Sequence, residues 1–222
     1  GGWGWGQEQS NLHLTSYVAL ALLKSEVAGF AVPSCVKIPA LDYIDATMTR
    51  AFETELRYPY FALALQVLSL ADRPWPSGAA TLLYADRGVL GPVGRLHLAM
   101  ALGATDISDP RVATLLDELR NDVVVSATGA HWESTNSQQW TTNGQATGLA
   151  VEALSLLAPE DALLPQAVRW LMSTRHSGGW VTPYETAWIT SGLSTYVREH
   201  ELGNSAFDWA VSVNGRPVLR ED

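Results

Sequence analysis

The sequence contains very little cysteine. Its 222 residues include one, Cys35. A single cysteine excludes a disulfide within the chain and any zinc site built from several thiolates. We expect Cys35 to be a small apolar residue buried beneath a helix.

Long apolar runs and blocks of like charge are also missing. No stretch reaches the length of apolar sequence that a membrane span needs. The chain has 23 acidic and 14 basic residues, a formal net charge of −9, and the two signs are interspersed. This balance argues against binding to nucleic acid and to an anionic membrane surface, which leaves proteins and neutral ligands as partners.

Hydrophobic residues, at 47%, are plentiful enough for one globular domain with its own core. Five segments are apolar almost all the way round a helix, which is typical of helices buried on every side. They begin at Leu14, Tyr60, Val93, Ala146 and Glu185.

Other segments alternate with these and have apolar residues at helical spacing on one side only. The three stripes are Ile38, Leu41, Ile44, Met48, Phe52 and Leu56; Val112, Leu115, Leu116 and Leu119; and Leu164, Val168 and Leu171. Such stripes predict surface helices with one face inward, and the connection at 76–87 is a weaker candidate. Buried helices that alternate with half-buried ones predict an all-α fold, an α/α toroid with an inner and an outer ring.

Glycine and tryptophan recur in the loops before three of the apolar helices. The loops read GGWGWG from Gly1, HWESTNSQQW from His131 and SGGWVTPYE from Ser177. All three precede inner helices, so we expect them to share one face of the ring. The candidate surface at this mouth of the ring consists of Trp3, Trp132, Glu133, Trp180, Tyr184 and Glu185.

Five inner helices and four connections are fewer than the twelve helices of six complete hairpins. We therefore expect an incomplete six-hairpin ring over residues 1–204, with its missing helices before Gly1. Near the C-terminus, Phe207, Trp209, Val211 and Val213 alternate with polar residues before Asn214-Gly215. This pattern predicts a β-hairpin. We expect 205–222 to be the start of a following β domain, because a lone hairpin cannot bury its own face.

Several of these stretches together resemble one known family. GGWGWGQEQSNLHLTSYVALALL, HWESTNSQQWTTNGQATGLAVEALSLL, AVRWLMSTRHSGGWVTPYETAWITSGLSTYV and FDWAVSVNGRP are similar, in this order, to the thioester domain of bacterial alpha-2-macroglobulins. The resemblance runs over nearly the whole chain. It implies an α/α toroid flanked by β-sandwich domains.

The resemblance also implies a function. Proteins of this family trap proteases, and many carry a thioester between a cysteine and a glutamine in a Cys-x-Glu-Gln motif. That motif is absent here, since Cys35 lies in VPSCVKI. The resemblance therefore implies no catalytic residue, thioester residue or cofactor in this chain. It implies target proteases and neighbouring β-sandwich domains as partners, and an exported, envelope-associated or extracellular protein. A dimer of the chain through the gap in its ring is a further hypothesis.

Enzymes that use the same toroid are the alternative. Terpenoid cyclases need an Asp-x-Asp-Asp acid, and prenyltransferase-type enzymes need a zinc site that includes cysteine; neither pattern is present. A carbohydrate-active enzyme needs two carboxylates beside a cleft, which Glu133 and Glu185 could supply. For Glu185 we favour a structural role, because a carboxylate in the first turn of a helix accepts free backbone N–H groups. We therefore predict a non-enzymatic interaction module.

Overall fold

The computed structural model describes residues 1–6, 9–52, 59–76, 78–134, 141–200, 210–213 and 216–220. Within these ranges the inner helices are α1 (Leu12–Val27), α3 (Pro59–Leu70), α5 (Gly91–Thr105), α7 (Asn143–Leu157) and α9 (Pro183–Glu199). The outer helices are α2 (Ser34–Phe52), α4 (Ala79–Ala85), α6 (Pro110–Asn121) and α8 (Leu164–Ser173). A 3-10 turn (Arg87–Val89) follows α4. The weak connection predicted at 76–87 is thus a short helix.

The inner helices pack in order around a ring, α1 on α3, α3 on α5, α5 on α7 and α7 on α9. Between α1 and α9 the ring is bridged by side chains, including the rings of Tyr17 and Trp188, whose centroids are 5.5 Å apart. Helices α3, α5 and α7 are buried almost throughout, as predicted. Helices α1 and α9 are only half-buried, because each packs closely against one inner helix, α3 and α7 respectively.

All five inner helices run in the same direction. Gly144 of α7 lies beside Glu185 of α9, and Gly148 lies beside Ile189 and Gly192. Residue numbers therefore increase in the same direction along both helices, which meet at a glycine seam formed by Gly144, Gly148 and Gly192. Tyr17 and Lys24 of α1 likewise contact successive turns of α9. The three tryptophan loops precede α1, α7 and α9, so they share one end of the ring, called the loop end below.

The outer helices bury most of the predicted stripe residues; Val168 is half-buried, and two other predictions need correction. Val112, Leu115, Leu116 and Leu119 are all buried, but Ile38 is 46% exposed. Ile38 lies six residues before the buried Ile44. At about 100° per residue, this spacing places the two side chains about 120° apart around the helix axis. Ile38 therefore does not share the buried face of Ile44. Cys35, in the first turn of α2, is exposed and not buried beneath a helix. Phe52 and Leu56 lie outside the described side chains.

Two antiparallel hairpins complete the described fold. Strands β3 (Ala210–Val213) and β4 (Arg216–Arg220) form the hairpin that Asn214-Gly215 predicts. Strands β1 (Val123–Ser126) and β2 (Gly129–Trp132), between α6 and α7, were not predicted. Gly129 closes the turn at φ 131°, and a side chain there would meet the Gln166 carbonyl of α8, which explains the glycine.

The glycine seam between α7 and α9 supports a first prediction. A Cβ built on Gly192 would lie 2.1 Å from the Gly148 carbonyl oxygen, so Gly192→Ala must push the two helices apart. We expect a loss of about 1–3 kcal/mol in the free energy of unfolding, the usual cost of overpacking. Urea unfolding measures it. Gly88→Ala is the matched control, because a Cβ there meets nothing within 4 Å, and an equal effect of both variants would contradict the prediction.

Candidate functional site

The three tryptophan loops are held to the inner helices by the same contact. In each, the backbone N–H of a tryptophan donates to the hydroxyl of a threonine in the first turns of the helix that follows. The pairs are Trp3 with Thr15 at 2.9 Å, Trp132 with Thr147 at 3.2 Å and Trp180 with Thr186 at 3.2 Å. The loops are therefore structural repeats, as their recurrence in the sequence suggests.

Two of these tryptophans also bind the preceding outer helix. The indole N–H of Trp132 donates to the Leu119 carbonyl at 2.7 Å, and that of Trp180 donates to the Leu171 carbonyl at 3.0 Å. Both carbonyls belong to the last turn of an outer helix, where acceptors lack intrahelical partners. Trp132 is completely buried. Both indoles anchor one helix to the next, and the complete burial of Trp132 removes its ring from any ligand surface, whereas Trp180 is half-buried.

Glu185 lies buried at the start of α9. Its Oε2 accepts a bond from the Val181 backbone N–H at 3.1 Å, and its Oε1 accepts one from the Thr142 hydroxyl at 2.7 Å. Thr182, the N-cap of α9, accepts from the Glu185 backbone N–H, so the two residues form a variant of the capping box. Because Thr142 caps α7, the Glu185 carboxylate joins the starts of two inner helices.

Glu133 follows the last residue of β2 and is exposed. The described contacts of Glu185 go to Thr142, Val181 and Thr182, none of which belongs to the Glu133 segment. The structure thus gives the two carboxylates different environments, one in solvent and one hydrogen-bonded in the interior.

The roles of the two carboxylates lead to a second prediction. Glu185→Ala removes two hydrogen bonds to a buried charged acceptor and leaves their donors unpaired, so we expect a loss of about 2–3 kcal/mol in the free energy of unfolding. Glu133→Ala should change it by less than about 0.5 kcal/mol, as for other exposed positions. Thermal or urea unfolding of both variants measures the two losses in unfolding free energy. Equal effects would show that Glu185 is not a structural group.

Aromatic side chains fill the axis of the ring below the loops. The ring of Tyr17 in α1 lies 5.2 Å from that of Tyr184 and 5.5 Å from that of Trp188, both in α9. Trp188 also meets the edge of His97 in α5 at 5.4 Å, and the Tyr184 hydroxyl lies 3.4 Å from the Gln145 amide nitrogen of α7. Of this ring-axis cluster, the sequence analysis identified Tyr184 alone.

His97 is the titratable centre of the ring-axis cluster. Its Nδ1–H donates to Gln66 Oε1 at 2.7 Å, and both residues are buried. Burial, aided by the positive charges of Lys24 and His13, lowers the pKa of His97 to about 3. The signal for this pair was visible in the sequence, since His97 and Gln66 are polar residues within the most apolar helices.

A charged cluster lies further along the inner helices. Lys24 of α1 donates to Glu152 of α7 and, at 2.5 Å, to the Ser191 hydroxyl of α9, which itself donates to Glu152 at 3.1 Å. The Glu152 side chain is 4% exposed, and that of Lys24 is 31% exposed. This cluster bridges α1 to α7 and α9, so it helps to close the ring.

The residues that the structure describes provide neither a cluster of metal ligands nor a membrane-spanning helix. No group of three histidine, cysteine or acidic side chains in these ranges is placed to hold a metal ion. No described helix combines the length and the apolar character that crossing a bilayer requires.

Comparisons with known proteins were informative at the level of three-dimensional structure. No protein-family profile matches the chain, and no curated protein sequence matches it. A crystal structure of Salmonella alpha-2-macroglobulin reacted with methylamine aligns with 97% of this chain at a TM-score of 0.67 and 16% sequence identity. The aligned part is 14% of that protein. The chain therefore has the fold of one segment of Salmonella alpha-2-macroglobulin, an incomplete α/α toroid followed by a short β-hairpin.

Proposed function

We propose that this chain is the helical ring of an alpha-2-macroglobulin-like protease trap, in which it serves as a packing and shielding module and not as an enzyme. The fold supports the proposal, since it matches a segment of such a protein over 97% of the chain. The observation that carries it is the ring axis, which is filled by Tyr17, Tyr184 and Trp188 around a neutral His97.

The placement of the carboxylates speaks against the enzymatic alternative. A glycoside hydrolase needs two carboxyl groups on either side of one bond, within about 10 Å of each other and facing an open cleft. Glu185 is buried and already accepts two hydrogen bonds, while Glu133 is exposed at the end of β2. A carbohydrate-active or isoprenoid-type enzyme built on Glu133 and Glu185 is therefore the weaker proposal.

Shielding is the role that such a ring would have in a protein with a thioester. A thioester persists in water only while it is kept from water and nucleophiles. Cys35 is exposed and lacks the Cys-x-Glu-Gln context. We propose that any thioester of the longer protein comes from residues outside 1–222, and that the ring packs beside it together with β-sandwich domains.

The proposed partners are proteases that the longer protein encounters outside the cytoplasm. The scattered charge of the chain, −9 overall, suits contacts with proteins better than contacts with polyanions. Self-association of the isolated chain through the gap between α1 and α9 remains a separate hypothesis. Light scattering that shows a monomer at high concentration would contradict it.

A protease-protection assay tests the proposed function. The natural polypeptide that contains residues 1–222 is incubated with a broad-specificity protease, and cleavage of a large protein substrate is compared with cleavage of a small peptide. A trap blocks the large substrate and leaves the peptide accessible, because the protease is enclosed but active. Cleavage of both substrates at the uninhibited rate would overturn the proposal. Loss of both activities would indicate active-site inhibition, which would also overturn it.

A further inference from the structure

Strand β1 is the outer strand of the short hairpin at the loop end of the ring. Its partner β2 packs against both α7 and α8 and is largely buried. In β1, by contrast, Val124 is 37% exposed and Val125 is 59% exposed. Among the described strands, β1 pairs with β2 alone. The side of β1 away from β2 is therefore an open strand edge, called the β1 edge below.

A hydrogen bond of Trp132 shows which backbone groups lie along the β1 edge. Trp132 is opposite Val123 in the register of the hairpin, but its backbone N–H donates to the Thr147 hydroxyl of α7 and so points away from β1. Opposing residues of an antiparallel pair alternate between those that exchange backbone hydrogen bonds and those that do not. Val123 and Trp132 are a pair of the second kind, and Val125 and Ala130 are another.

It follows that Val123 and Val125 direct their backbone N–H and C=O groups outward, along the β1 edge. Val124 directs its own groups toward His131 of β2. Among the described residues, no other segment forms a backbone hydrogen bond with the four outward groups. The edge thus presents two donors and two acceptors at the spacing of a strand, and an extended backbone is the partner that pairs with all four.

The β1 edge also lacks the features by which proteins prevent strand pairing. These features are charged side chains, proline and β-bulges. The strand reads VVVS from Val123, in an unbroken register with β2, and valine favours strands. The β3–β4 hairpin differs, because its register shifts between Val211 and Ser212 and β4 contains Pro217. Of the described strands, β1 has the edge best suited to pairing.

The hairpin is held in place by its buried strand. Trp132 is hydrogen-bonded to Leu119 of α6 and to Thr147 of α7. The ring of His131 stacks on that of Trp170 in α8, with centroids 4.6 Å apart. Because these contacts fix β2, and β2 fixes β1, an incoming strand meets an edge that is already ordered. Such preorganisation lowers the entropic cost of binding.

We propose that the β1 edge binds an extended peptide segment of another protein, which adds to the hairpin as a third strand. Backbone hydrogen bonds to Val123 and Val125 supply the affinity, and the exposed valine side chains favour β-branched or aromatic residues in the segment. The site goes beyond the proposed function, since it depends on the hairpin alone.

A second copy of the chain is a poorer occupant of the β1 edge. The four residues of β1 span about 13 Å. An edge of this length is too short to bury the roughly 1,200 Å² or more of a stable interface between two rigid proteins. A flexible segment that extends along the edge needs no further contact surface, so a peptide fits the site better.

Amide exchange and peptide binding test the β1 edge. In the free 222-residue chain, hydrogen–deuterium exchange read by NMR should be at least about tenfold faster at Val123 and Val125 than at Val124, because unpaired amides exchange without local opening. The probe is a fluorescein-labelled peptide of alternating threonine and valine with a lysine at each end. Its binding, measured by fluorescence anisotropy, should slow exchange at Val123 and Val125.

One variant and one modified peptide remove the proposed hydrogen bonds. Val125→Pro removes an outward donor at a position where a strand edge tolerates proline, and we expect it to weaken binding of the probe at least about tenfold. Val125→Thr is the matched control, because it keeps the N–H, and it should bind as wild type does. A probe that is N-methylated at a central valine and at the adjacent threonine should bind wild type at least about tenfold more weakly.

Equal exchange rates at the three valines of the free chain would overturn the proposal, as would the absence of probe binding at about 1 mM. Binding that neither Val125→Pro nor N-methylation weakens would show that the peptide contacts another surface, which refutes the β1 edge. Light scattering that shows a dimer of wild type and a monomer of Val125→Pro would assign the edge to a second copy and refute the peptide.

Discussion

Acid is expected to destabilise the protein well before its carboxylates are fully protonated. The pKa of His97 is about 3 in the folded ring against 6.5 for an ordinary histidine. Since the unfolded chain takes up a proton at His97 below pH 6.5 and the folded chain does so only near pH 3, stability is lost across this window as pH falls. The expected contribution of His97 is about 1.4 kcal/mol per pH unit, or about 3 kcal/mol at pH 4.

Urea unfolding between pH 7 and pH 4 measures this effect when wild type is compared with His97→Gln. A glutamine can still donate to Gln66 but does not titrate, so the difference in unfolding free energy between the two proteins should change by about 3 kcal/mol across the range. His176→Gln, at an exposed loop position, is the control and should follow wild type. A difference between wild type and His97→Gln that is constant with pH would show that His97 is not held neutral.

Loss of Lys24 is expected to be the most damaging single change to the charged cluster. Lys24→Met leaves the buried Glu152 carboxylate with Ser191 as its described partner. Breaking a buried pair in this way costs about 3–5 kcal/mol, and the partial exposure of the Lys24 side chain places our expectation near the lower limit, about 3 kcal/mol. The double variant Lys24→Met with Glu152→Met should recover most of the loss, because no unpaired charge remains.

A double-mutant cycle on thermal or urea unfolding tests this expectation. Lys37→Met is the matched control, since it breaks a more exposed pair with Glu26 and should cost no more than about 1 kcal/mol. If the double variant were as unstable as Lys24→Met alone, the instability would come from lost packing and not from the uncompensated carboxylate.

Much of the fold is predictable because the spacing of apolar residues in the sequence indicates which helix faces are buried. Helix α6 has its four apolar residues at helical spacing, and all four are buried. Helices α3, α5 and α7 are apolar on every side and are enclosed by neighbours on every side. The C-terminal hairpin is predicted by Asn-Gly, since both residues tolerate the backbone of a tight turn. These are local or periodic signals, which are independent of the partner that each segment meets.

The β1–β2 hairpin and the two corrected side chains are less predictable for a physical reason. Val123, Val124 and Val125 favour a strand, but the turn depends on Gly129, whose conformation is required by the close approach of α8. Ile38 and Cys35 belong to the start of α2, where the direction of the helix is set by its connection to α1. A one-dimensional pattern does not contain that direction.

In the candidate site, too, some features are predictable from the sequence and others depend on the tertiary structure. Glu185 follows Pro183 in the first turn of a helix, so a capping role was predictable from the residues. That its carboxylate also joins α9 to Thr142 of α7 depends on two helices brought together from 43 residues apart. The ring-axis cluster is of the same kind, because Tyr17, His97 and Trp188 are neighbours only after the ring has formed.

By itself, the sequence determined most of the helical segments, the buried face of α6 and the common end of the three tryptophan loops, because hydrophobic periodicity and capping act over a few residues. The tertiary structure decided which polar groups meet. It paired His97 with Gln66 and Lys24 with Glu152, enclosed Glu185 and left Glu133 and Cys35 in solvent. Desolvation and hydrogen bonding depend on distances between segments far apart in the chain, and these distances exist only in the folded ring.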